Sequence, residues 1–152
     1  MRFRYMAVPV KQALPSLPGL LIRHRPVVAA RLTGPRDTSL LDGLLDTGAD
    51  DTVIEDWHAQ YMGVDLTQAP ELQITLAGRP QAVRCRYAPV QLRLTDGNET
   101  FEWTAAIGFV SGHLHYCLWG QAGFLQFFQA DFDGEGHGVT LTPKHSFPGT
   151  SI

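Results

Sequence analysis

The sequence has few charged residues, few cysteines and no long apolar run. Charged residues make up 18% of the 152 residues, and the basic ones are scattered within a net charge of −3, so no stripe could neutralise a run of phosphates. No stretch approaches the ~20 apolar residues of a membrane helix. Prolines 9, 15 and 18 interrupt the start before a signal peptide could form. We therefore expect no nucleic-acid partner, no membrane partner and a cytoplasmic location.

The two cysteines, Cys85 and Cys117, lack the paired spacing of a zinc site or a disulfide framework. This favours a reduced intracellular protein, although a single disulfide between them stays open. Both lie in apolar or strand-like runs, where a buried thiol is commoner than a nucleophile. We expect neither cysteine to be catalytic.

What the sequence does contain is 44% hydrophobic residues, 15 glycines and 10 prolines, typical of a turn-rich globular protein. Its length suits one domain with mostly β structure. Prolines concentrated in residues 9–18 fix an extended course, so residues 1–25 are predicted to be an arm rather than a core element. Residues 26–145 then form the domain, and residues 146–152 form a tail.

Apolar alternation and turn residues predict a series of hairpins. Residues 27–32 and 39–46 flank the turn at 34–37, and residues 72–87 form a projecting hairpin with its tip at 77–80. A further hairpin turns at 96–98 and returns through 101–110. A short helical turn is predicted after Trp57, ending near Gly63, and a short helix at 123–128, followed by a strand pair that turns at 134–138.

The acidic segment 44–57, LLDTGADDTVIEDW, is the most informative stretch, because Asp46 follows an otherwise apolar strand. An EF-hand starting at Asp46 fails at Gly48, Asp51 and Trp57, and a phosphotransfer D-x-D pair also fails at Gly48. D-T-G alone is compatible with an ordinary turn followed by a helix cap. The three residues D-T-G by themselves do not exclude this ordinary turn.

The longer string D-T-G-A-D-D-T-V-I-E resembles the active-site segment of the retropepsins, the retrovirus-type aspartic proteases. RPVVAARLTG resembles the strand before that segment, AVRCRYAPVQLRL resembles the return arm of the flap, and LWGQAGF resembles the apolar-apolar-Gly feature before the C-terminal helix. The likeness covers about residues 26–132. The layout also resembles bacterial single-domain members of the family. It implies an all-β acid-protease half-barrel with a flap hairpin and one short C-terminal helix.

The resemblance implies a homodimeric aspartic endopeptidase without a cofactor. Such an enzyme needs two carboxylates facing one water, and this chain has one D-T-G, so the second Asp46 must come from another copy. Asp46, Thr47 and Gly48 are the expected catalytic segment: Thr47 would bind the opposite loop, and Gly48 would allow close approach. The alternative is a non-catalytic dimer that binds or scaffolds a peptide. A third possibility is a protease that stays latent until its N-terminal arm is removed from the cleft.

The resemblance also implies substrate-binding roles, which fall on Ala49 and Asp50 in the active-site loop and on Ala77, Gly78 and Arg79 at the flap tip. Asp51 is expected farther along the cleft, Thr52 and Val53 are expected to pack inward, and Glu55 is expected to be solvated or to cap a helix.

Two features depart from the viral pattern. The flap tip has one glycine next to Pro80, and Gln121 stands where viral enzymes have an Arg that pairs with the acid matching Asp50.

Two further groups of residues could suggest other sites. His113 and His115, with His137 or His145, are conceivable metal ligands, but no third ligand has a recognisable spacing, so we expect no metal site. Phe124, Leu125, Phe127 and Phe128 are spaced as core residues rather than as an exposed anchor.

Overall fold

The computed structural model describes residues 1–78 and 80–152, which form a mostly β protein. Its strands are β1 (Arg2–Arg4), β2 (Met6–Pro9), β3 (Ile22–Arg25), β4 (Val27–Thr33), β5 (Thr38–Leu45), β6 (Val53–Glu55), β7 (Glu71–Ile74), β8 (Val83–Thr95), β9 (Thr100–Val110), β10 (Cys117–Trp119), β11 (Phe128–Asp133), β12 (Gly138–Pro143) and β13 (Thr150–Ser151). Helix α1 spans Trp57–Met62, and one 3₁₀ turn spans Leu125–Phe127. None of the helices in the described residues is long and apolar enough to cross a membrane.

The largest sheet has eight strands in the order β13-β9-β6-β10-β5-β4-β8-β7, and β8 also pairs with β9. This extra pairing closes six of the strands into a ring, so the sheet is barrel-like and wraps around the main core. The predicted all-β half-barrel is confirmed. A second sheet has the order β1-β12-β11, and β2 and β3 form a separate two-stranded ribbon.

The predicted hairpins are present in the described residues. Strands β4 and β5 pair from Val27↔Leu44 to Thr33↔Thr38, and β8 and β9 pair over eleven positions that end at Thr95↔Thr100. In β8 the side chains at positions 90, 92 and 94 are buried while their neighbours are exposed, which is the alternation of a half-buried strand. Strands β7 and β8 pair from Glu71↔Arg86 to Ile74↔Val83, and we call these two strands, with the described residues that connect them, the flap hairpin.

The helical segments are shorter than a typical helix. Helix α1 ends at Gly63, whose φ of 75° is the left-handed conformation that glycine adopts at helix ends. This confirms the predicted turn after Trp57. The predicted C-terminal helix is a single 3₁₀ turn, because Phe128 already has the extended backbone of β11. Phe124, Leu125 and Phe128 lie in the core, as predicted.

The N-terminal segment differs from the expected extended arm. Strand β1 pairs with β12, β2 pairs with β3, and the Met1 side chain lies in the main core with 7% of its surface exposed. Periodicity did not reveal these pairings because β1 is only three residues long. The C-terminal residues 150–151 pair with β9. The division of the chain into arm, domain and tail stays a prediction.

Candidate active site

Asp46 lies at the end of β5, where a parallel neighbour fixes its position. Strand β10 runs alongside β5 with Leu45 opposite Trp119, and the Asp46 N–H donates to the carbonyl oxygen of Trp119 at 3.2 Å. The Trp119 ring packs directly over Gly43, where a Cβ atom would lie 2.1 Å from the ring. The indole N–H also donates to the Val28 carbonyl at 2.8 Å. These contacts hold the strand end that presents Asp46.

The D-T-G residues form a tight turn around the Asp46 carboxylate. The Gly48 N–H donates to Asp46 Oδ1 at 3.0 Å, and the Ala49 N–H donates to the Asp46 carbonyl at 3.2 Å. Asp46 is half-buried, whereas Thr47 and Gly48 are exposed. The carboxylate is therefore oriented by the backbone of its own turn and still reaches the surface.

Backbone hydrogen bonds join residues 46–52, which we call the active-site loop, to the segment after β10. The N–H groups of Gln121 and Ala122 donate to the carbonyls of Ala49 and Asp50, at 2.9 and 2.8 Å. Gly120 permits this approach, because a Cβ atom there would lie 2.2 Å from the Asp51 carbonyl oxygen. The apolar-apolar-Gly pattern therefore has a steric cause.

Gln121 contributes one side-chain hydrogen bond to the same loop. Its Nε2 donates to the carbonyl oxygen of Thr47 at 3.2 Å. An amide can make this neutral contact but cannot form the charged pair expected of an arginine. Backbone hydrogen bonds thus provide most of the contact between the loop and this segment.

A cavity of about 410 Å³ opens between the active-site loop and the flap hairpin, and we call it the cleft. Among the described residues, its lining from the loop and the start of β6 comprises Asp46, Gly48, Ala49, Asp50, Asp51 and Val53. The flap hairpin contributes residues 73–77, and Leu118 closes the base. The cleft therefore combines carboxylates on one side with uncharged polar and apolar side chains on the other, an arrangement suited to binding a peptide.

The structure brings most of the predicted site residues together. Asp46, Gly48, Ala49, Asp50 and Ala77 all line the cleft. Thr47 lies in the same turn but is not part of the lining. Gly78 is exposed at the hairpin tip with a φ of 80°, also outside the lining. Arg79 lies outside the described residues. These placements leave the predicted roles of the residues untested.

Sequence reasoning missed residues 73–76 and Leu118 as cleft residues, and it assigned Val53 to the interior only. Val53 is 1% exposed, as predicted, yet it also lines the cleft. Alternation could not have identified these flap residues, because four consecutive positions line the cleft. Thr52 is 1% exposed and packs inward as expected.

Tyr87 is a further residue that sequence reasoning missed. Its hydroxyl donates to Asp51 Oδ2 at 2.7 Å. Burial raises the pKa of the Tyr87 phenol, and the hydrogen bonds to Asp51 and Cys85 raise that pKa further. Tyr87 therefore remains a protonated donor to Asp51 at all ordinary pH values. Nothing in the local sequence identifies this pair, since its members lie 36 positions apart.

Glu55 differs from its expected role as a solvated or capping residue. Its side chain is 13% exposed, and it accepts hydrogen bonds from the Leu114 N–H at 2.5 Å, the His113 ring at 2.9 Å and the Trp57 indole. Burial alone would raise the pKa of Glu55, but these hydrogen bonds and the His113 charge outweigh it and lower the pKa. Glu55 thus holds the loop after β9 against β6.

The described residues contain no cluster of three or more His, Cys, Asp or Glu side chains that could hold a metal ion. Cys85 and Cys117 are free and buried. Burial raises the pKa of the Cys85 thiol and raises that of Cys117 to about 12. Both thiols therefore stay protonated, which is unfavourable for a nucleophile.

The comparison with protein families identifies the fold and the acidic loop together. The family model described as retroviral aspartyl protease matches residues 22–121, which include the barrel strands β4–β6, the flap hairpin and β10. The chain belongs to this family. Membership confirms the resemblance carried by the D-T-G segment, and with the half-barrel it establishes a retropepsin-like aspartic protease fold. A comparison with curated proteins gives no significant sequence match.

Two solved structures of retropepsins are similar to this chain. The EIAV protease in complex with the inhibitor HBY-793 is 20% identical, with a TM-score of 0.42, and the match covers 65% of this chain and 84% of that one. A retropepsin-like aspartic protease from Rickettsia conorii is 19% identical, with a TM-score of 0.47, and the match covers 83% of this chain and 92% of that one.

Proposed function

We propose that the protein is a homodimeric aspartic endopeptidase that hydrolyses peptide bonds with water activated between two Asp46 carboxylates, one from each protomer. One observation carries the proposal. The acid of the only D-T-G in the sequence lies at the end of the half-buried strand β5, held by its own turn, and lines a cleft beneath a hairpin.

A second copy is needed because one carboxylate cannot perform both steps of the chemistry. One acid must accept a proton from water while the other, protonated, polarises the scissile carbonyl. Asp51 is a poor partner for Asp46 within the protomer, since its carboxylate is already bound by Tyr87. A two-fold axis between two D-T-G turns would supply a second Asp46, and like charges that close would share one proton.

Thr47 and Gly48 fit this arrangement. The Thr47 side chain is exposed, and its hydroxyl makes no hydrogen bond with any other described residue, so it is available to the opposite loop of a dimer. Gly48 has no side chain to separate the two turns. Such support would hold both carboxylates in the geometry that water activation requires.

The substrate is proposed to be an extended peptide. Ala49 and Asp50 would contact its main chain from the loop, with the Asp50 carboxylate accepting a backbone N–H. Ala77, Gly78 and Arg79 would cover it from the flap tip and exclude water when the hairpin closes. The reaction requires only water and two carboxylates, so no cofactor is proposed. A cytoplasmic location remains a prediction.

The test is cleavage of a mixed peptide library between about pH 4 and 7 by the wild type, by Asp46→Asn and by a matched control, Asp42→Asn. Asp42 is an exposed acid on the same strand, four positions earlier, and lies outside the described lining of the cleft. We expect wild type and Asp42→Asn to cleave, pepstatin to inhibit both, and Asp46→Asn to lose at least about 10³-fold in rate. Cleavage that survives Asp46→Asn would remove Asp46 from the mechanism.

Mixing the wild type with a large excess of Asp46→Asn tests the shared site. If each site needs two Asp46 residues, the excess variant captures wild-type protomers in inactive heterodimers and the rate falls, whereas excess Asp42→Asn leaves it unchanged. Analytical ultracentrifugation at the assay concentration checks that dimers form. Full activity from a monomer would exclude the proposed arrangement.

A non-catalytic dimer that binds or scaffolds a peptide in the same cleft is the second candidate. It is supported by Gln121, which offers the loop one neutral hydrogen bond where viral enzymes have a charged pair. Under this alternative the wild type binds library peptides without cleaving them at any pH. The library assay, followed by mass spectrometry of both bound and released peptides, separates the two candidates.

A further inference from the structure

A second large cavity lies on the N-terminal strands, and we call it the cationic cavity. It has a volume of about 600 Å³ and is lined in part by Arg2 and Arg4 on β1, His24 on β3 and His137 in the turn before β12. None of its described lining residues is acidic, and none lines the cleft. Two guanidinium groups on one strand form a geometry suited to an oxyanion.

The N-terminal segment that lines this cavity is strongly basic. Residues 1–25 contain five of the twelve Lys and Arg residues and none of the fifteen Asp and Glu residues. Within the described part of the chain, no ion pair involves the guanidinium group of Arg2 or Arg4. The acids close to the cavity bind backbone N–H groups: Asp96 accepts that of Arg2 at 2.9 Å, and Asp133 accepts that of Gly136 at 2.7 Å. Glu135 lies in the His137 turn and is exposed.

The two histidines of the cationic cavity are held in a stack. The rings of His24 and His137 lie 3.7 Å apart and nearly parallel, at 11°. His137 has a φ of 48° and is the one described non-glycine residue with a positive φ. A residue kept in this unfavourable conformation often marks a functional site, because the surrounding fold must stabilise it.

An apolar cavity of about 450 Å³ adjoins the cationic cavity and shares the wall formed by Tyr5, His24 and His137. Its other lining includes Leu14, Leu17 and Leu20 from the loop between β2 and β3. These leucines are 37%, 46% and 55% exposed, which is unusual for three large apolar side chains in seven residues. Arg23 and Arg25 also line this cavity, so the two cavities form one groove that is basic along its length and apolar at the end with the three leucines.

The Arg23 side chain supports binding of a ligand in this groove. It lines the apolar cavity, and its Nε atom is buried without a hydrogen-bond partner among the described residues. A buried donor without a partner is costly, and a bound acceptor would remove that cost.

We propose that this groove binds one molecule of an anionic amphiphile, whose phosphate or carboxylate head contacts Arg2 and Arg4 and whose acyl tail covers Leu14, Leu17 and Leu20. The three leucines lie together at one end of this basic groove, which favours an amphiphile over a peptide, because peptide polar groups recur along the whole chain. The two cavities, of about 600 and 450 Å³, are large enough for a single molecule, which favours such a ligand over a flat lipid surface.

The test is calorimetric titration of the full chain at pH 7 with three probes, each below its micelle concentration. Octyl phosphate carries both parts of the ligand, octyl glucoside carries the tail alone, and inorganic phosphate carries the charge alone. We expect octyl phosphate to bind at least about tenfold more tightly than either of the others, since charged hydrogen bonds and tail burial act together. Equal binding of octyl phosphate and octyl glucoside would overturn the proposal.

Surface variants localise the binding. Arg2→Gln with Arg4→Gln, and separately Leu17→Ser, are each expected to weaken octyl phosphate binding at least about tenfold. Their matched controls are Arg93→Gln and Leu40→Ser, which alter an exposed arginine and a 67% exposed leucine elsewhere. The controls are expected to bind like the wild type. Unchanged binding by both test variants would place the ligand elsewhere and overturn the proposal.

The experiments also distinguish the proposed ligand from two other occupants of the groove. Binding only to phosphatidylglycerol vesicles, with no binding of monomeric octyl phosphate, would assign the surface to a membrane and overturn the proposal. A change of oligomeric state in Leu17→Ser, seen by ultracentrifugation, would assign it to a subunit contact and also overturn it. The Asp46→Asn variant is expected to bind octyl phosphate normally, so the result is independent of the protease proposal.

Discussion

The Tyr87 hydroxyl lies 2.7 Å from Asp51 Oδ2 and joins the strand of the flap hairpin to the active-site loop. Tyr87 is also fixed on its own side, because its N–H donates to the Pro70 carbonyl at 2.9 Å just before β7. Asp51 lines the cleft, so this contact orients a carboxylate that a substrate would meet. The two sides of the cleft are thereby connected through one side-chain pair.

Replacing Tyr87 with Phe removes this connection while keeping the ring. We expect a loss of about 1–3 kcal/mol in the free energy of unfolding, because a part-buried carboxylate loses a donor. Peptide affinity should fall more than the rate of the chemical step, since Asp51 borders the cleft and Asp46 is the acid proposed to react. Urea denaturation measures the first effect, and KM compared with kcat measures the second. Tyr61→Phe, at an exposed site on α1, serves as control, and equal stability of both variants would contradict the prediction.

Gly120→Ala tests the steric basis of the backbone hydrogen bonds between the active-site loop and the segment after β10. The added Cβ atom would lie 2.2 Å from the Asp51 carbonyl oxygen, so the backbone must shift. We expect a loss of at least about 2 kcal/mol in stability together with lost peptide binding. Gly134→Ala is the matched control, since nothing lies within 4 Å of its added atom. If Gly120→Ala had the same denaturation midpoint as the wild type, the close approach of residue 120 to the Asp51 carbonyl would not be required.

Gln121→Ala tests how much the side chain adds to those backbone hydrogen bonds. Only the Nε2 contact to the Thr47 carbonyl is lost, whereas the backbone hydrogen bonds of residues 121 and 122 remain. We expect a loss below about 1 kcal/mol, because the side-chain bond is neutral and exposed. Thermal denaturation at pH 7 provides the measurement. A loss comparable to that of Gly120→Ala would mean that the side chain, and not the backbone, holds the loop.

Asp96→Asn should change the response to acid. Hydrogen bonds from the backbone N–H groups of Glu99, Asn98 and Arg2 lower the pKa of Asp96 to about 2. A lowered pKa stabilises the folded state at pH values above the ordinary value of 3.8, and this stabilisation is lost as the pH falls through about 2. The variant should therefore be less stable than the wild type at pH 7, and the difference should shrink between about pH 4 and 2.

Urea denaturation of both proteins at several pH values from 7 to 2.5 measures this difference. Asp42→Asn is the control, since Asp42 is exposed and makes no hydrogen bond through its side chain in the described residues. Its stability should follow the wild type at every pH. A difference between Asp96→Asn and the wild type that stays constant with pH would contradict the prediction.

The fold class, the main hairpins and the candidate active-site segment could be predicted from the sequence, because each depends on short-range information. Alternation in β8 places Val90, Leu92 and Leu94 in the core, turn residues at 96–98 set the hairpin, and one uninterrupted ten-residue string identified the family. Gly120 was also predictable from the apolar-apolar-Gly pattern of residues 118–120.

Contacts between distant parts of the chain could be seen only in the folded structure. The Tyr87–Asp51 hydrogen bond, the Glu55 contacts with the loop after β9 and the pairing of β1 with β12 all join residues far apart in the chain. No local pattern specifies them, because a side chain finds such a partner only when strands from separate hairpins have packed. The sequence thus identified Asp46, and the folded chain determined how its loop is held and which residues surround the cleft.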